Sequence, residues 1–283
     1  MITIFTPTYN RKKELERLYE SLLNQDYDDF EWLIVDDGSI DDTEKYVNSL
    51  IKKNKIKIKY FKKENGGKPS AYNKGLDLAS GNIFLAIDSD DVFKENVLKK
   101  ISSDFENLPN KIGGVMYLQG YIDNPSKVVG TNFPDDELIE NYFNIYHKLH
   151  VTGDKLIVLK TKVAREFYFP IIDGEKFVPE ALIFNRISLK YDFKCINYMA
   201  SLKEYLNEGY SNNYFALVKR NPLGNMLYFK ELYNLEKSIY NVYGYILFGI
   251  YGKVSFKKLL NHKAKFLIII LYLPVFLIAK VRK

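Results

Sequence analysis

Four short polar clusters in the first hundred residues carry side chains fit for chemistry: TPTYN (6–10), DDGS (36–39), ENGGKPS (64–70) and DSDD (88–91). The last is the sharpest, because three carboxylates in four positions repel one another unless something positive lies among them. Asp88 and Asp90, separated by Ser89 in a turn, can share one hard divalent cation such as Mg2+ or Mn2+. Oxygen donors suit these ions, which keep coordination sites open for phosphate oxygens. The same residues also suit an Asx-turn or a helix cap. Asp36 and Asp37 are then free of metal duty, and a carboxylate can accept a hydrogen bond from a base N–H. Tyr9 offers a ring that stacks on a planar base. NGGK (65–68) lets backbone approach a phosphate and supplies the charge of Lys68. It matches neither the dinucleotide fingerprint G-x-G-x-x-G nor the P-loop.

The elements that must position these clusters follow from periodicity. ITIFT (2–6), EWLIVD (31–36), IKIKYF (56–61) and NIFLAI (82–87) read as strands. Between them, 11–25 places Leu15, Leu18, Leu22 and Leu23 on one helical face with Asn10 as the expected N-cap. The next helix, 42–53, opens on a capping-box-like Asp41-x-x-Glu44, and Pro69 suits the first turn of a third. Strand–helix alternation predicts an α/β fold with a doubly wound, mostly parallel sheet and right-handed crossovers. Ligands of such sheets bind beyond the strands' carboxyl ends. All four clusters fall at those ends. Further on, a helix from about residue 94, a strand at GGVMYLQGYI (113–122), a helix over 135–148, a strand at LIVL (156–159), a helix from Pro179 to about Leu189 and a strand near KCINYM (194–199) are expected.

With 283 residues the chain can bury a sizeable core, and 47% hydrophobic against 27% charged residues excludes a disordered polymer. The lone Cys195 excludes an internal disulfide and a multi-cysteine metal site, and His147, His150 and His262 lack zinc spacing. Met1 leads straight into a strand, so a cytosolic protein without a signal peptide is expected. The net charge of +6 is uneven: residues 253–283 hold eight Lys or Arg and no acid. That pattern suits an anionic surface.

TPTYNR (6–11), VDDGSIDDT (35–43), ENGGKPSAYNKGLDLASG (64–81) and DSDD (88–91), in this order, resemble the family 2 glycosyltransferases. The resemblance is strong over the first hundred residues and weaker to about residue 212. It implies a GT-A, Rossmann-like fold and inverting transfer from a nucleotide sugar, most often a UDP-sugar, with Mg2+ or Mn2+ on the diphosphate. Carried over by position, Thr6, Pro7 and Tyr9 would line the uridine pocket, Asp37 or Asp36 would face the uracil, and Lys68 would lie near the ribose or phosphates. Asp88, Ser89 and Asp90 match the D-x-D motif; Asp88 and Ser89 would contact the nucleotide sugar, and Asp88 and Asp90 the metal. Inversion needs a base for the acceptor hydroxyl. In the family this is usually the second acid of a Glu-Asp pair before an Arg. In GEKFVPEALIFNRI (174–187), Arg186 puts Glu180 at that position, although Pro179 replaces the first acid. Glu175 and Asp154 are the other candidates. NEGYSNN (207–213) resembles a loop that closes over the donor in some relatives.

FLIIILYLPVFLIA (266–279) is an uncharged run of fourteen residues between basic flanks, interrupted by Pro274. A spanning helix takes about twenty. With the aromatic, basic stretch before it, residues 213–283 are expected to form a helical, membrane-associating extension, monotopic or re-entrant, on an anionic cytoplasmic face; a single span is the alternative. Nucleic acid is not an expected partner, because the basic residues flank aliphatic runs. The expected organisation is a 1–212 transferase domain, with 1–110 binding the nucleotide sugar and 111–212 the acceptor, followed by that extension. The expected activity is sugar transfer from a UDP-sugar to a lipid-linked oligosaccharide in cell-surface glycan synthesis. A nucleotidyltransferase and a non-catalytic nucleotide-sugar-binding membrane protein are the alternatives.

Overall fold

The computed structural model describes residues 1–204 and 214–281. The loop reading of 207–213 lies outside the described residues. Two compact units emerge: residues 1–168 with 186–205, and residues 169–185 with 206–283. Residues 169–185, expected in the acceptor half, thus group with the C-terminal helices.

The first unit opens with β1 (Ile2–Thr8), α1 (Lys12–Leu23), β2 (Phe30–Asp36), α2 (Thr43–Lys53), β3 (Ile58–Lys62), α3 (Lys68–Leu78) and β4 (Ile83–Ala86). The four strands lie parallel in the order β3-β2-β1-β4. Their register is level: Thr8 sits opposite Asp36, and Asp36 opposite Lys62. The Ile87 N–H donates to the Phe5 carbonyl at 2.9 Å, carrying the chain on to Asp88 at the same edge. Leu15, Leu18 and Leu22 of α1 and Val47 and Leu50 of α2 pack on Ile4, Trp32 and Ile34. Each such side chain, fully buried, contributes about 1.5–3 kcal/mol. On the other face, Phe5 stacks on Phe84 with centroids 5.5 Å apart. A Cβ on Gly75 of α3 would lie 2.4 Å from the Phe5 ring, so only glycine lets α3 approach there.

The rest of the unit departs from simple alternation. It comprises β5 (Val92–Phe93), α4 (Val97–Phe105), β6 (Ile112–Tyr121), β7 (Glu137–Glu140), α5 (Tyr142–His147), β8 (Lys155–Lys160), α6 (Thr161–Ala164) and β9 (Asp192–Lys203). β8 pairs antiparallel with both β4 and β6, and β9 runs parallel to β6. The sheet is therefore mixed, with a parallel half joined to a second half through β8. β5 and β7 both pair antiparallel with β9. The helix expected over 135–148 is corrected: its first part is β7, bonded to Phe193–Ile196 of β9, and only Tyr142–His147 is helical. β9 runs to Lys203, beyond the expected KCINYM.

Two expected caps are also corrected. Arg11 holds the N-cap position of α1 without a side-chain capping bond, its guanidinium donating to Glu14 instead. Asn10 adopts φ 53° instead, its Oδ1 accepting from the Ile40 N–H and its own N–H donating to Ser39 Oγ, both at 2.8 Å. It ties TPTYN to DDGSI. Asp41 accepts from the Thr43 N–H at 3.0 Å, but Glu44 pairs with Lys62 and completes no capping box.

α7 spans Ala181–Ile187. The second unit contains α8 (Tyr214–Arg220), α9 (Pro222–Leu235), α10 (Ile239–Tyr251), α11 (Phe256–Leu259) and α12 (Lys265–Val281). Val242, Tyr245 and Ile246 of α10 form its core with Leu259, Ile268 and Val275. Among the described residues, no helix is long and apolar enough to cross a membrane.

Candidate active site

Strand ends converge at one edge of the first unit, and their side chains are wired together. Asp36, fully buried, accepts from the Ser39 N–H at 2.7 Å and from the Tyr60 hydroxyl at 2.5 Å. It fixes the turn after β2. Asp37 accepts from Lys63 Nζ (2.7 Å), the Gly66 N–H (3.0 Å) and the Gly67 N–H (2.7 Å). Hydrogen bonds to a charged group contribute about 1.5–3 kcal/mol each. The loop amides read as a phosphate cradle thus point at Asp37. Gly67, at φ 84°, is the N-cap of α3, and the helix begins with Lys68.

Lys68 Nζ lies 2.5 Å from Asp88 Oδ1. This is the first answer to the crowded carboxylates. The second is Lys203, delivered by the pairing of Leu202 with Val92: its Nζ is 3.0 Å from Asp154 Oδ2 and 4.0 Å from Asp91 Oδ2. Arg11 is the third cation whose field reaches Asp88 and Asp90. Burial raises the Asp88 pKa, but Lys68, Lys203 and Arg11 outweigh it and hold the group below the ordinary carboxylate range. Asp90 is pushed up by burial and by the Asp88 charge. Asp91 is nearly inaccessible and pushed up to about 8, chiefly by burial and secondarily by its two acidic neighbours, against the pull of Lys203. Its Oδ1 is buried with no hydrogen-bond partner, while Oδ2 accepts a long 3.4 Å bond from Gln119 Nε2. Burial lowers the Lys203 pKa, yet Asp91, Asp154 and Asp88 raise it further, so the ammonium stays charged.

Asp88 and Asp90 fit a hard divalent cation: both are oxygen donors, and the mutual repulsion that raises Asp90 is what a shared cation relieves. Among the described residues, no cluster of three or more His, Cys, Asp or Glu is placed to hold a metal. The protein would supply two carboxylates, leaving the other positions to donor phosphate and water.

The remaining expected residues fall as follows. Tyr9 is exposed just past the end of β1, and Pro7 is half-buried. Thr6 is fully buried, its Oγ1 accepting from Trp32 Nε1 at 3.0 Å, so its side chain braces the strands. Ser89 is buried in the turn closed by the Asp91 N–H and the Asp88 carbonyl. In the second unit, Glu180 is exposed just ahead of α7, and its carbonyl accepts from the Ile183 N–H. Glu175 accepts from the Leu223 and Gly224 N–H groups at 2.6 and 2.8 Å, capping α9 with both oxygens. Asp154 is exposed and tied to Lys203. Reading the sequence missed Asp91, Arg11 and Lys203 as partners in this edge. Lys203 had one available signal, its place at the end of a strand whose polar edge already held the other clusters.

The model of the family Glycosyl transferase family 2 matches residues 3–167, more than half of the chain. The Staphylococcus aureus poly(ribitol-phosphate) beta-N-acetylglucosaminyltransferase TarP is 25% identical over 94% of this chain and 84% of that protein. A Campylobacter jejuni GalNAc(5)-diNAcBac-PP-undecaprenol beta-1,3-glucosyltransferase is 26% identical over 86% of this chain and 59% of that protein. A glycosyltransferase of Nostoc is 33% identical, but the match spans only 39% of its length. Among solved structures, S. aureus TarS 1–349 in complex with UDP-GlcNAc superposes with a TM-score of 0.66 at 19% identity, over 97% of this chain and 79% of that one. That likeness shows the GT-A fold. A family match over more than half of the chain, covering all four polar clusters, means that the chain belongs to glycosyl transferase family 2.

Proposed function

We propose that the chain moves a sugar, with inversion, from a UDP-sugar to a hydroxyl of a lipid-linked saccharide, at the cytoplasmic face of a membrane and in the synthesis of a cell-surface glycan. The carrying observation is the chain of contacts at the strand ends: Asp37 holds the glycine loop, the loop starts α3, and α3 sets Lys68 on Asp88. That edge offers a cation and paired carboxylates where a diphosphate and its counter-ion would bind. TarS, with its UDP-GlcNAc and UDP complexes, supports a uridine donor, and the Campylobacter relative supports a polyprenyl-diphosphate acceptor.

In this reading residues 1–110 bind the donor, with Tyr9 against the base and Pro7 beside it. Residues 111–212 face the acceptor, and 213–283 meet the membrane. Thr6 and Asp36 act as supports, since their side chains are consumed within the protein. Asp37 reaches the base only with lone pairs left over from the loop. Mg2+ or Mn2+ on Asp88 and Asp90 would neutralise charge on the departing diphosphate. A neighbour of 18% identity with a TM-score of 0.56, a Pyrobaculum mannosyltransferase, was solved with GDP-Man and Mn2+. The acceptor oxygen forms its bond to the anomeric carbon as the bond to the phosphate oxygen breaks, and UDP leaves with the electron pair. The hydroxyl proton passes to Glu180. Glu175 is a poorer base because both its oxygens cap α9, and Asp154 because it is paired with Lys203.

The test is release of UDP from a panel of UDP-sugars with Mn2+ or Mg2+ and a polyprenyl-diphosphate saccharide. Wild type is expected to turn over and to stop with EDTA. Glu180→Gln is expected to bind UDP normally and to lose 10²- to 10⁴-fold in turnover, roughly the contribution of a general base. Normal turnover in Glu180→Gln overturns the base assignment, and UDP binding without any turnover in wild type would favour a non-catalytic binder.

A further inference from the structure

We propose that the outward face of α12 docks on an anionic bilayer, with the helix lying in the interface plane. This deepens the membrane reading above and rests on it only for biological purpose. α12 turns Ile268, Val275 and Ala279 into the core of the helical unit, where they meet residues of α10 and α11. The other side carries Phe266, Ile269, Ile270, Leu273, Leu277 and Val281, all exposed, from 55% at Ile269 to 88% at Val281. At about 100° per residue these six fall within roughly a third of the helix circumference. At about 1.5 Å per residue the stripe is roughly 25 Å long. Soluble monomers seldom leave so continuous an apolar surface in water.

Charge identifies the occupant. Lys253, Lys257, Lys258, Lys263, Lys265 and Lys280 are all exposed, and no acid occurs after residue 252. The two on α12 stand near its ends against aromatic rings, Lys265 Nζ 5.4 Å from the Phe266 centroid and Lys280 Nζ 4.8 Å from that of Phe276. Such side chains lay their methylenes on apolar surface and lift the ammonium to the headgroups. Phe256 packs on Tyr272 at 4.6 Å, setting α11, with Lys257 and Lys258, beside the same helix. A second copy of the chain would bring lysines against lysines with no acid to answer them. Phosphate headgroups answer them directly, at about 1 kcal/mol per Lys. The uncharged run of fourteen residues falls short of the roughly twenty needed to span.

The test uses the full chain with vesicles of phosphatidylcholine alone and of phosphatidylcholine with 30% phosphatidylglycerol, read by flotation at low and high salt. Wild type is expected to float with the anionic vesicles, at least tenfold more than with the neutral ones, and to be released by alkaline carbonate. Ile270→Glu/Leu277→Glu is expected to lose at least tenfold in partition. Lys265→Gln/Lys280→Gln is expected to lose about 10- to 30-fold on anionic vesicles only. All these side chains are exposed, so UDP release in solution is expected to stay at the wild-type rate in both variants, which reports folding and keeps this test separate from the transferase reading. Equal binding to neutral vesicles, no binding, or no effect of the glutamates overturns the proposal. Resistance to carbonate would show a spanning helix. Self-association in ultracentrifugation that the glutamates abolish, without vesicle binding, would assign the face to a second copy.

Discussion

Asp37→Asn changes almost nothing in shape and much in the loop that carries Lys68. The carboxylate accepts three hydrogen bonds, from Lys63 Nζ, the Gly66 N–H and the Gly67 N–H. An amide keeps one oxygen, so at most one glycine amide retains a good acceptor, and its NH2 faces another donor. The Lys63 ammonium also loses its counter-charge, leaving Ser70 Oγ and the Glu64 carbonyl as partners. Two bonds to a charged group at about 1.5–3 kcal/mol each, less what water recovers at the half-buried Lys63 and Gly66, give a loss of roughly 3–4 kcal/mol for loop closure. At 1.4 kcal/mol per factor of ten, the Gly66 and Gly67 amides should exchange about 10²- to 10³-fold faster, a local opening. Amide hydrogen exchange on the full chain measures this, with the amides of Ile4 and Ile34 in the core as the internal control. UDP affinity should fall alongside, because the loop positions the start of α3. A change below threefold at both glycines would refute the idea that Asp37 anchors the loop.

Two other residues give direct checks in the helical unit. Glu175→Gln keeps one oxygen for the α9 amides and should cost about 1 kcal/mol of that unit's stability, with little loss of turnover; a loss matching Glu180→Gln would make Glu175 the base instead. His262 is buried between Tyr233 and Tyr245 and its Nδ1 accepts from the Ala264 N–H, which only the neutral ring can do. Burial, then Lys230 and Lys263, lower its pKa. The folded state therefore binds fewer protons than the unfolded, so stability is full above the unfolded value near 6.5 and falls as pH drops toward the lowered one. Denaturant melts between pH 7.5 and 5 should show this loss, and His262→Asn, which keeps an acceptor, should flatten it.

The parallel half of the sheet was legible because each of its strands is flanked by a helix of its own period, and the four polar clusters announce the strand ends. β5 and β7 were not, because two- and four-residue edge strands exist through their pairing with β9, and EL at 137–138 scores as helix until that partner is present. Residue types at the site were legible; their wiring was not. Asp37 and the Gly66–Gly67 amides lie about thirty residues apart, and Asp91 and Lys203 more than a hundred, so sequence gave an acid and a glycine loop without showing that one holds the other. Asn10 failed as a cap for the same reason, drawn away to Ile40 and Ser39. The tail's even hydrophobicity likewise hid that α12 is packed on one side only.

A crystal structure with UDP and Mn2+ tests the account at its centre. The expected result is uracil beside Tyr9 and one ion bridging the diphosphate to Asp88 and Asp90, with Lys68 moved from Asp88 to a phosphate oxygen. Nucleotide bound away from the strand ends, or those carboxylates still closed on Lys68 with no ion between them, would contradict it.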